Sequence, residues 1–128
     1  MGGPILDYRI SLDLVGPFID EAAFNERLKL GAVPNAVHQT GHNIVFTHAD
    51  FNMRNILVDP RTRRLSGIVD WENAGWYPEY WEYTKAYFIT KLWWRWLAIM
   101  DSVFHGKERY RDELETEDTL WRFDDPWS

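Results

Sequence analysis

One stretch constrains this chain more than any other. It runs over residues 46–59 and is followed, after a turn, by residues 67–72. The stretch places Asp50, then Asn55 five residues later, then Asp70 fifteen residues beyond that. Each lies beside a short apolar run of the kind that forms a buried strand. Three oxygen-bearing side chains are therefore predicted to converge on one spot.

Phosphoryl transfer is the chemistry that uses such a trio. The protein must hold Mg²⁺ on the phosphates and give the proton of the acceptor hydroxyl somewhere to go. Mg²⁺ prefers one or two protein oxygens together with phosphates and water, which suits Asn55 and Asp70. Asp50 is then left to accept the proton. The run from His48 to Asn55 also has the H-x-D-x-x-x-x-N spacing of kinase catalytic loops, which are followed by a metal-binding Asp.

At these residues the sequence resembles a family. Residues 48–55, together with Val69-Asp70-Trp71-Glu72, are similar to the aminoglycoside phosphotransferase and choline kinase-like family of small-molecule kinases. Residues 67–88 resemble its fungal branch, and Gly2-Gly3-Pro4 and Gly16-Pro17-Phe18 extend the resemblance over most of the chain. The paired motif is specific, because an isolated H-x-D is common, whereas the full loop followed by I-V-D-W at this distance rarely arises by chance.

The resemblance implies a fold and a set of roles. The fold would be α+β and mostly helical: the C-terminal lobe of a protein-kinase-like fold, one domain over residues 1–128, with a small β-hairpin carrying the catalytic loop. Asp50 would be the catalytic base, Asn55 and Asp70 the residues that bind Mg²⁺ and the nucleotide, and His48 a structural support. Ala49 departs from the Gly or other small residue usual in the family, and we expect its methyl group to perturb the packing of the loop.

The resemblance also implies an ATP- and Mg²⁺-dependent transfer of phosphate to a hydroxyl of a small molecule, including cationic ones. Residues 1–47, however, contain no G-x-G-x-x-G loop and no Val-Ala-Ile-Lys-like strand, the marks of an ATP-covering N-terminal lobe. We therefore expect a C-lobe without its N-lobe, as in a truncated gene, a fragment or a natural short form, and expect this chain alone to be weakly active or inactive. Two alternatives stay open: a non-catalytic module that binds a partner or self-associates, and a metal-dependent hydrolase that uses the same carboxylates with water.

Composition limits the classes of partner and of chemistry that the chain can have. The chain carries 14 basic and 20 acidic residues, a net charge of −6, which argues against nucleic acid and is compatible with a cationic substrate. It has no cysteine, so disulfides and thiol chemistry are excluded. Asp7 and Arg9 interrupt any N-terminal signal sequence, and charges from Glu82 to Asp101 interrupt the longest aromatic stretch. The sequence therefore predicts a soluble, cytoplasmic protein without a membrane span.

The aromatic content is high, with eight Trp, six Tyr and seven Phe. Such large rings need partners to bury them. We expect several of them to lie where missing lobes would pack, which predicts an exposed apolar patch and self-association through it.

The first third of the chain shows mixed local signals. Tyr8 to Leu14 reads as a short strand or extended segment. Asp20 is predicted to cap a helix from Glu21 to Leu30, with Phe24 and Leu28 facing inward, and a turn or short helix to follow over residues 34–38. His38 and His42 are four residues apart, but Gly41 lies between them and no third ligand is near. A surface or strand-entry role is therefore favoured over a metal site.

The pattern in the middle of the chain predicts strands. Ile44 to Thr47 is predicted to deliver the catalytic loop, and residues 56–58 and 65–69 to form a hairpin. The turn between them contains Arg61, Arg63 and Arg64, which we interpret as a solvated tip and not a phosphate site.

The pattern from residue 73 onward predicts mainly helices. Residues 73–78 are predicted to form a loop and Pro78 to begin a helix. One long aromatic helix is expected from Tyr80 to about Val103, packed under the active site, with an aromatic box for a quaternary ammonium as the alternative. His105-Gly106 should end it, and a polar helix over residues 107–121 and a fraying tail over 123–128 should follow. The acidic residues of that helix are interpreted as a solvated face, with a substrate role as the alternative: Glu113, Glu115, Glu117 and Asp118.

Overall fold

The computed structural model describes residues 2–11, 13–28, 38–89 and 93–124. Within these ranges the chain forms five α-helices, one short 3-10 helix and two small antiparallel sheets. This mixture agrees with the predicted α+β, mostly helical class. None of the helices in these ranges is both long and apolar enough to cross a membrane.

The first helix, α1, spans Glu21–Leu28. Its start follows the prediction, because Oδ1 of Asp20 accepts a hydrogen bond of 2.9 Å from the backbone N–H of Ala23. Phe24 and Leu28 are buried on its inner face, as predicted. The predicted continuation to Leu30 and the turn before His38 fall outside the described residues.

The segment before α1 differs from the sequence prediction. Tyr8 to Leu14 was predicted to be extended, but residues 8–10 form a turn instead. The turn is stabilised by Asp7, whose Oδ1 accepts from the backbone N–H of Arg9 at 2.9 Å. The extended pairing lies outside it, where Ile5 and Val15 exchange two backbone hydrogen bonds of 2.8 Å.

Four strands form two separate sheets. Strand β1, Ile44–Thr47, pairs antiparallel with β4, Gly75–Pro78, whereas β2, Ile56–Val58, pairs with β3, Leu65–Ile68. Strand β1 and the β2–β3 hairpin were predicted correctly. The prediction of a loop over residues 73–78, with Pro78 beginning a helix, is wrong. Pro78 is instead the last residue of β4, opposite Ile44, where the end of a two-stranded sheet tolerates its missing N–H.

The turn of the β2–β3 hairpin is self-contained. The backbone N–H of Asp59 donates to the carbonyl of Arg64 at 2.9 Å, and that of Arg63 donates back to the carbonyl of Asp59 at 2.7 Å. Arg61, Arg63 and Arg64 are all exposed. The interpretation of this turn as a solvated tip is confirmed.

The long aromatic helix is two helices. Helix α2 spans Trp81–Ile89 and helix α3 spans Trp94–Phe104. Trp93 has φ −102° and ψ 71°, which is not helical, so the prediction of one helix is wrong. His105 takes the left-handed conformation with φ 52° and ends α3, as predicted.

The predicted polar helix is also divided. Helix α4 spans Gly106–Arg109 and α5 spans Arg111–Asp124. They meet at Tyr110, whose buried ring places its hydroxyl to donate to Oε2 of Glu79 at 2.8 Å. The predicted fraying tail is wrong at its start, since α5 continues to Asp124, and the remaining tail residues lie outside the described ranges.

The acidic residues of α5 do not all face solvent. Glu117 is only 1% exposed, and its carboxylate accepts from Nε of Arg9 at 3.1 Å and bonds Nε2 of His38 at 2.8 Å. The prediction of a solvated face is therefore wrong for Glu117, and that of a surface role is wrong for His38, which is also buried. The buried Glu117 carboxylate is satisfied by Arg9 and by Nε2 of His38, which the local charge pattern did not indicate.

The core between α1, β4 and α2 is aromatic. The rings of Phe24 and Trp81 meet edge to face with centroids 5.2 Å apart, and Tyr77 stacks on Trp81 at 5.7 Å. All three side chains are fully buried. Such pairs add to the hydrophobic gain from burial, and they fix α2 against the sheet that leads into the catalytic motif.

Candidate active site

The predicted catalytic loop connects the two sheets. It leaves β1 after Thr47, passes through a 3-10 helix at Met53–Asn55 and enters β2 directly. The Nδ2 group of Asn55 donates to the backbone carbonyl of Asp50 at 2.8 Å and to its Oδ2 at 3.3 Å. Asn52 donates to the same carbonyl at 3.1 Å and to Oδ1 at 3.4 Å. Each carboxylate oxygen of Asp50 thus accepts a hydrogen bond from one amide side chain, Oδ1 from Asn52 and Oδ2 from Asn55.

The ring of His48 joins the two halves of the motif. Its Nδ1 accepts from the backbone N–H of Asp50 at 3.1 Å, so in the neutral ring the proton is on Nε2. Nε2 then donates to the carbonyl of Val69 at 2.8 Å. His48 is buried, and it connects the loop to the residue that precedes Asp70.

Asp70 lies just after β3. It is exposed and has a left-handed backbone with φ 62°. Its place is fixed through its neighbour, because the backbone N–H of Val69 donates to the carbonyl of Asn55 at 2.8 Å. On its other side Trp71 donates from its indole to the carbonyl of Ile68 at 2.7 Å. Asp70 therefore lies beside the loop, held there through the contacts of its neighbours Val69 and Trp71.

The structure brings Asp50 and Asn55 into direct contact and links Asp70 to them through Val69. Within the described ranges, no group of three or more His, Cys, Asp or Glu side chains lies close enough together to hold a metal ion. A nucleotide-bound Mg²⁺ needs fewer ligands, because it takes one or two protein oxygens and completes its shell with phosphate and water. Asn55 turns its nitrogen to Asp50, which leaves Oδ1 for a cation. An amide oxygen and an exposed carboxylate, both ligand types that such a Mg²⁺ takes, therefore lie on adjoining segments of the chain.

Sequence reasoning missed Glu82, in the first turn of α2. Its Oε2 accepts from the backbone N–H of His48 at 2.8 Å, and its Oε1 accepts from that of Ala49 at 3.0 Å. Burial raises the pKa of Glu82, against the lowering effect of these two backbone hydrogen bonds. No local signal marks the residue, since a Glu in a first turn is common in any helix. Its partners are more than thirty positions away in sequence.

Ala49, where the family pattern has Gly or another small residue, has a strained backbone conformation. Ala49 is fully buried and has φ 68°, a left-handed conformation. For a residue with a Cβ this conformation costs roughly 1–2 kcal/mol. A glycine would adopt it without that cost. The hydrogen bond from Ala49 to Glu82 is one of the contacts that keep the loop in this conformation.

A family model described as the phosphotransferase enzyme family matches residues 12–122. This match covers most of the chain and includes His48, Asp50, Asn55 and Asp70. The chain belongs to the phosphotransferase enzyme family. The predicted resemblance to aminoglycoside phosphotransferases is thereby confirmed at the level of the family, while the fungal branch stays a prediction. Comparisons with curated proteins and with solved structures gave no match.

Proposed function

We propose that this chain carries the catalytic centre of a phosphotransferase that moves the γ-phosphoryl group of ATP to a hydroxyl of a small molecule. The observation that supports it most is the hydrogen-bond network through His48. The ring bonds the backbone of Asp50 on one side and the carbonyl of Val69 on the other. A turn that merely happened to contain Asp and Asn would not need to be joined to the strand end before Asp70.

Asp50 is the catalytic base of the proposed reaction. The acceptor O–H bond breaks, the proton passes to the Asp50 carboxylate, and the acceptor oxygen forms the bond to phosphorus as the bond to ADP breaks. The amides of Asn52 and Asn55 orient the carboxylate through contacts of 3.3–3.4 Å to its oxygens. These hydrogen bonds are long and come from uncharged amide donors, so they position the carboxylate while leaving it able to take a proton.

Asn55, through Oδ1, and Asp70, through its carboxylate, would hold Mg²⁺ together with the ATP phosphates. When bound, the ion neutralises the negative charge of the phosphates. Asp70 is exposed and its neighbour Val69 is fixed to the loop by two hydrogen bonds, one from His48 and one to Asn55. The acceptor is a small hydroxylated molecule, and a cationic one would match the net charge of −6.

Thermal denaturation with and without Mg-ATP tests nucleotide binding. A ligand at a hundred times its dissociation constant stabilises a fold by about 2.7 kcal/mol, which corresponds to roughly ten degrees for a domain of this size. We expect the shift in the parent chain, in Asp50→Asn and in the control Asp13→Asn, whose side chain is exposed. Asp70→Asn should abolish it. A parent that shows no shift, or an Asp70→Asn variant that shifts like the parent, would contradict the metal assignment.

Turnover tests the base separately. ATP consumption is measured against a panel of small alcohols, sugars, amino alcohols and aminoglycosides. A general base contributes roughly 10²–10⁴-fold, so Asp50→Asn should lose a factor in that range while still binding Mg-ATP. Asp13→Asn should keep the parental rate. An Asp50→Asn variant with parental turnover would rule out Asp50 as the base.

A second candidate function, self-association, is favoured by one surface. Phe46, Trp71 and Trp76 form an aromatic patch in which Phe46 lies 6.1 Å from Trp71 and 5.8 Å from Trp76 between ring centroids. Their exposed fractions are 57%, 46% and 46%, and adjacent exposed rings of this kind mark interaction surfaces. Light scattering over a range of concentrations should show an oligomer that Trp76→Ser weakens. A monomer at every concentration would remove this candidate.

A further inference from the structure

Two histidines contact helix α5 with matching spacing. Nε2 of His38 lies 2.8 Å from Oε1 of Glu117, and Nε2 of His42 lies 2.7 Å from Oε1 of Glu113. Each pair of residues is four positions apart, and on α5 four positions are about one helical turn. Residues 38–42 therefore lie along α5 and are joined to it at two successive turns.

His42 makes a second contact that His38 does not. Its Nδ1 lies 2.5 Å from Oε1 of Glu21, in the first turn of α1. The other oxygen of Glu21 accepts from the backbone N–H groups of Gly41 and His42, both at 3.1 Å. An imidazole can donate from both nitrogens only as the imidazolium. The geometry at His42, with a carboxylate oxygen at each ring nitrogen, is that of an imidazolium between two carboxylates, whereas His38 contacts a single carboxylate.

Other charges around His42 also favour its charged form. The carboxylate of Glu79 is close enough to interact electrostatically with it, and Glu79 itself pairs with Arg109 at 3.1 Å. The ring of Tyr80 packs edge-on against His42, with centroids 4.7 Å apart, and it also stacks on the ring of His38 at 4.6 Å. His42 also lines a cleft of about 480 Å³ with Asp112 and Glu115, through which protons can exchange with solvent.

We propose that His42, Glu21 and Glu113 form a proton clasp that fastens α1 to α5, closed while His42 carries its proton and opened when that proton is lost. On opening, the neutral ring can donate to only one of its two carboxylates. The other is left facing an unprotonated nitrogen at hydrogen-bond distance, which is repulsive. The clasp lies two residues before β1, the strand that leads into the catalytic loop.

The electrostatics agree with this assignment. Burial by itself lowers the pKa of His42, but the hydrogen bonds to Glu113 and Glu21 outweigh it and the pKa is raised above the ordinary 6.5. A group whose pKa is higher in the folded state than in the unfolded state stabilises the fold fully below the unfolded value. That stabilisation is lost as the pH rises through the folded value. The clasp therefore contributes its full stabilisation below the ordinary pKa of 6.5 and opens as the pH rises through the higher folded pKa of His42.

NMR titration of the imidazole nitrogens tests the proton clasp directly in the parent chain. We expect His42 to titrate above pH 6.5, with both nitrogens protonated below its midpoint. The backbone amide signals of Glu113 and of Glu21 should shift with the same midpoint. If His42 titrates at or below 6.5, or if the two amides do not follow it, the proposal is overturned.

Two variants sharpen the result. In His42→Gln the melting temperature should fall by several degrees at pH 6, and its gap to the parent should close as the pH is raised through the His42 midpoint. The control is His105→Gln, at an exposed histidine outside the cluster, whose gap should stay constant with pH. In Glu113→Gln the His42 midpoint should move down, since one partner loses its charge. A pH-independent gap in His42→Gln, or an unmoved midpoint in Glu113→Gln, would overturn the proposal even if either variant is less stable overall.

Discussion

The catalytic loop and the proton clasp both depend on buried polar groups, but they use charge in opposite ways. In the loop, neutral groups hold Asp50, namely the amides of Asn52 and Asn55 and the ring of His48. No ion pair in the described part of the chain involves Asp50 or Asp70. Around α5, by contrast, carboxylates are matched to cationic or protonated partners. Charge is thus compensated around α5, whereas Asp50 and Asp70, the residues proposed as the base and as a Mg²⁺ ligand, have no ion-pair partner in the described part of the chain.

The largest expected loss in the free energy of unfolding comes from removing the charge of the buried carboxylate of Glu117 on α5. Glu117→Gln keeps the volume of the side chain but removes the negative charge on which Arg9 and His38 converge. Breaking a buried ion pair from one side costs roughly 3–5 kcal/mol. Urea denaturation should therefore show a loss of about 3 kcal/mol. The matched control, Glu108→Gln on the exposed face of α4, should stay within about 0.5 kcal/mol of the parent, and a loss below about 1 kcal/mol in Glu117→Gln would show that the pair is not stabilising.

The pH dependence of that loss is a further check. Burial raises the pKa of Glu117, but the hydrogen bond from His38 and the charge of Arg9 bring it below the ordinary 4.5. A carboxyl with a lowered pKa stabilises the fold above its unfolded value and loses this contribution as the pH falls through the folded value. The gap between Glu117→Gln and the parent should therefore shrink below pH 4.5. A gap that widens in acid would reverse the assigned sign.

A smaller effect is expected from the buried contact that holds the loop. Glu82→Ala leaves the backbone N–H groups of His48 and Ala49 without acceptors, and each unsatisfied buried group costs about 1–3 kcal/mol. We expect a loss of about 2 kcal/mol by denaturation, together with changed amide signals from the loop in NMR spectra. The control is Glu72→Gln, at an exposed position two residues after Asp70. Unchanged loop signals in Glu82→Ala would show that the loop keeps its conformation without this residue.

The smallest effect, and one of opposite sign, is expected at Ala49. Ala49→Gly removes the Cβ that is strained at φ 68°, so the variant should be more stable by about 0.5–1 kcal/mol. In the control Ala98→Gly, within helix α3 and exposed, the same substitution should destabilise by about 1 kcal/mol. Opposite signs in the two variants are the expected outcome, and a destabilised Ala49→Gly would show that the methyl packs favourably.

Sequence patterns were sufficient where the determining residues are close together. Three features were predicted because each depends on one short stretch of sequence. They are the cap at Asp20, the inward residues of α1 and the β2–β3 hairpin. Spacing also placed Asp50 and Asn55 in contact, because both lie on one loop. Strand β4 was missed because local signals alone were used. Its Gly75 and Pro78 are local breaker signals, and only pairing with the distant β1 makes the segment a strand.

Some errors were local, such as the turn that Asp7 forms with Arg9, but others involve partners far apart in sequence. His38 and Glu117 are 79 positions apart, and each was interpreted from its own neighbourhood as a surface residue. Glu82 is bonded to a loop 33 and 34 positions away. The break between α2 and α3 is not marked by a Gly or a Pro, so no local signal divides the segment into two helices. Periodicity reports how a segment is buried, but it does not identify the residue that will contact it.

The turn of the β2–β3 hairpin offers a practical handle. Its backbone hydrogen bonds close between Asp59 and Arg64, its three arginines are exposed, and the strands it joins lead on one side to the catalytic loop and on the other to Asp70. A fluorophore or short epitope placed at Arg61 would extend into solvent without entering the core. A label there would report on the two strands that flank the site and would leave the site residues themselves unaltered.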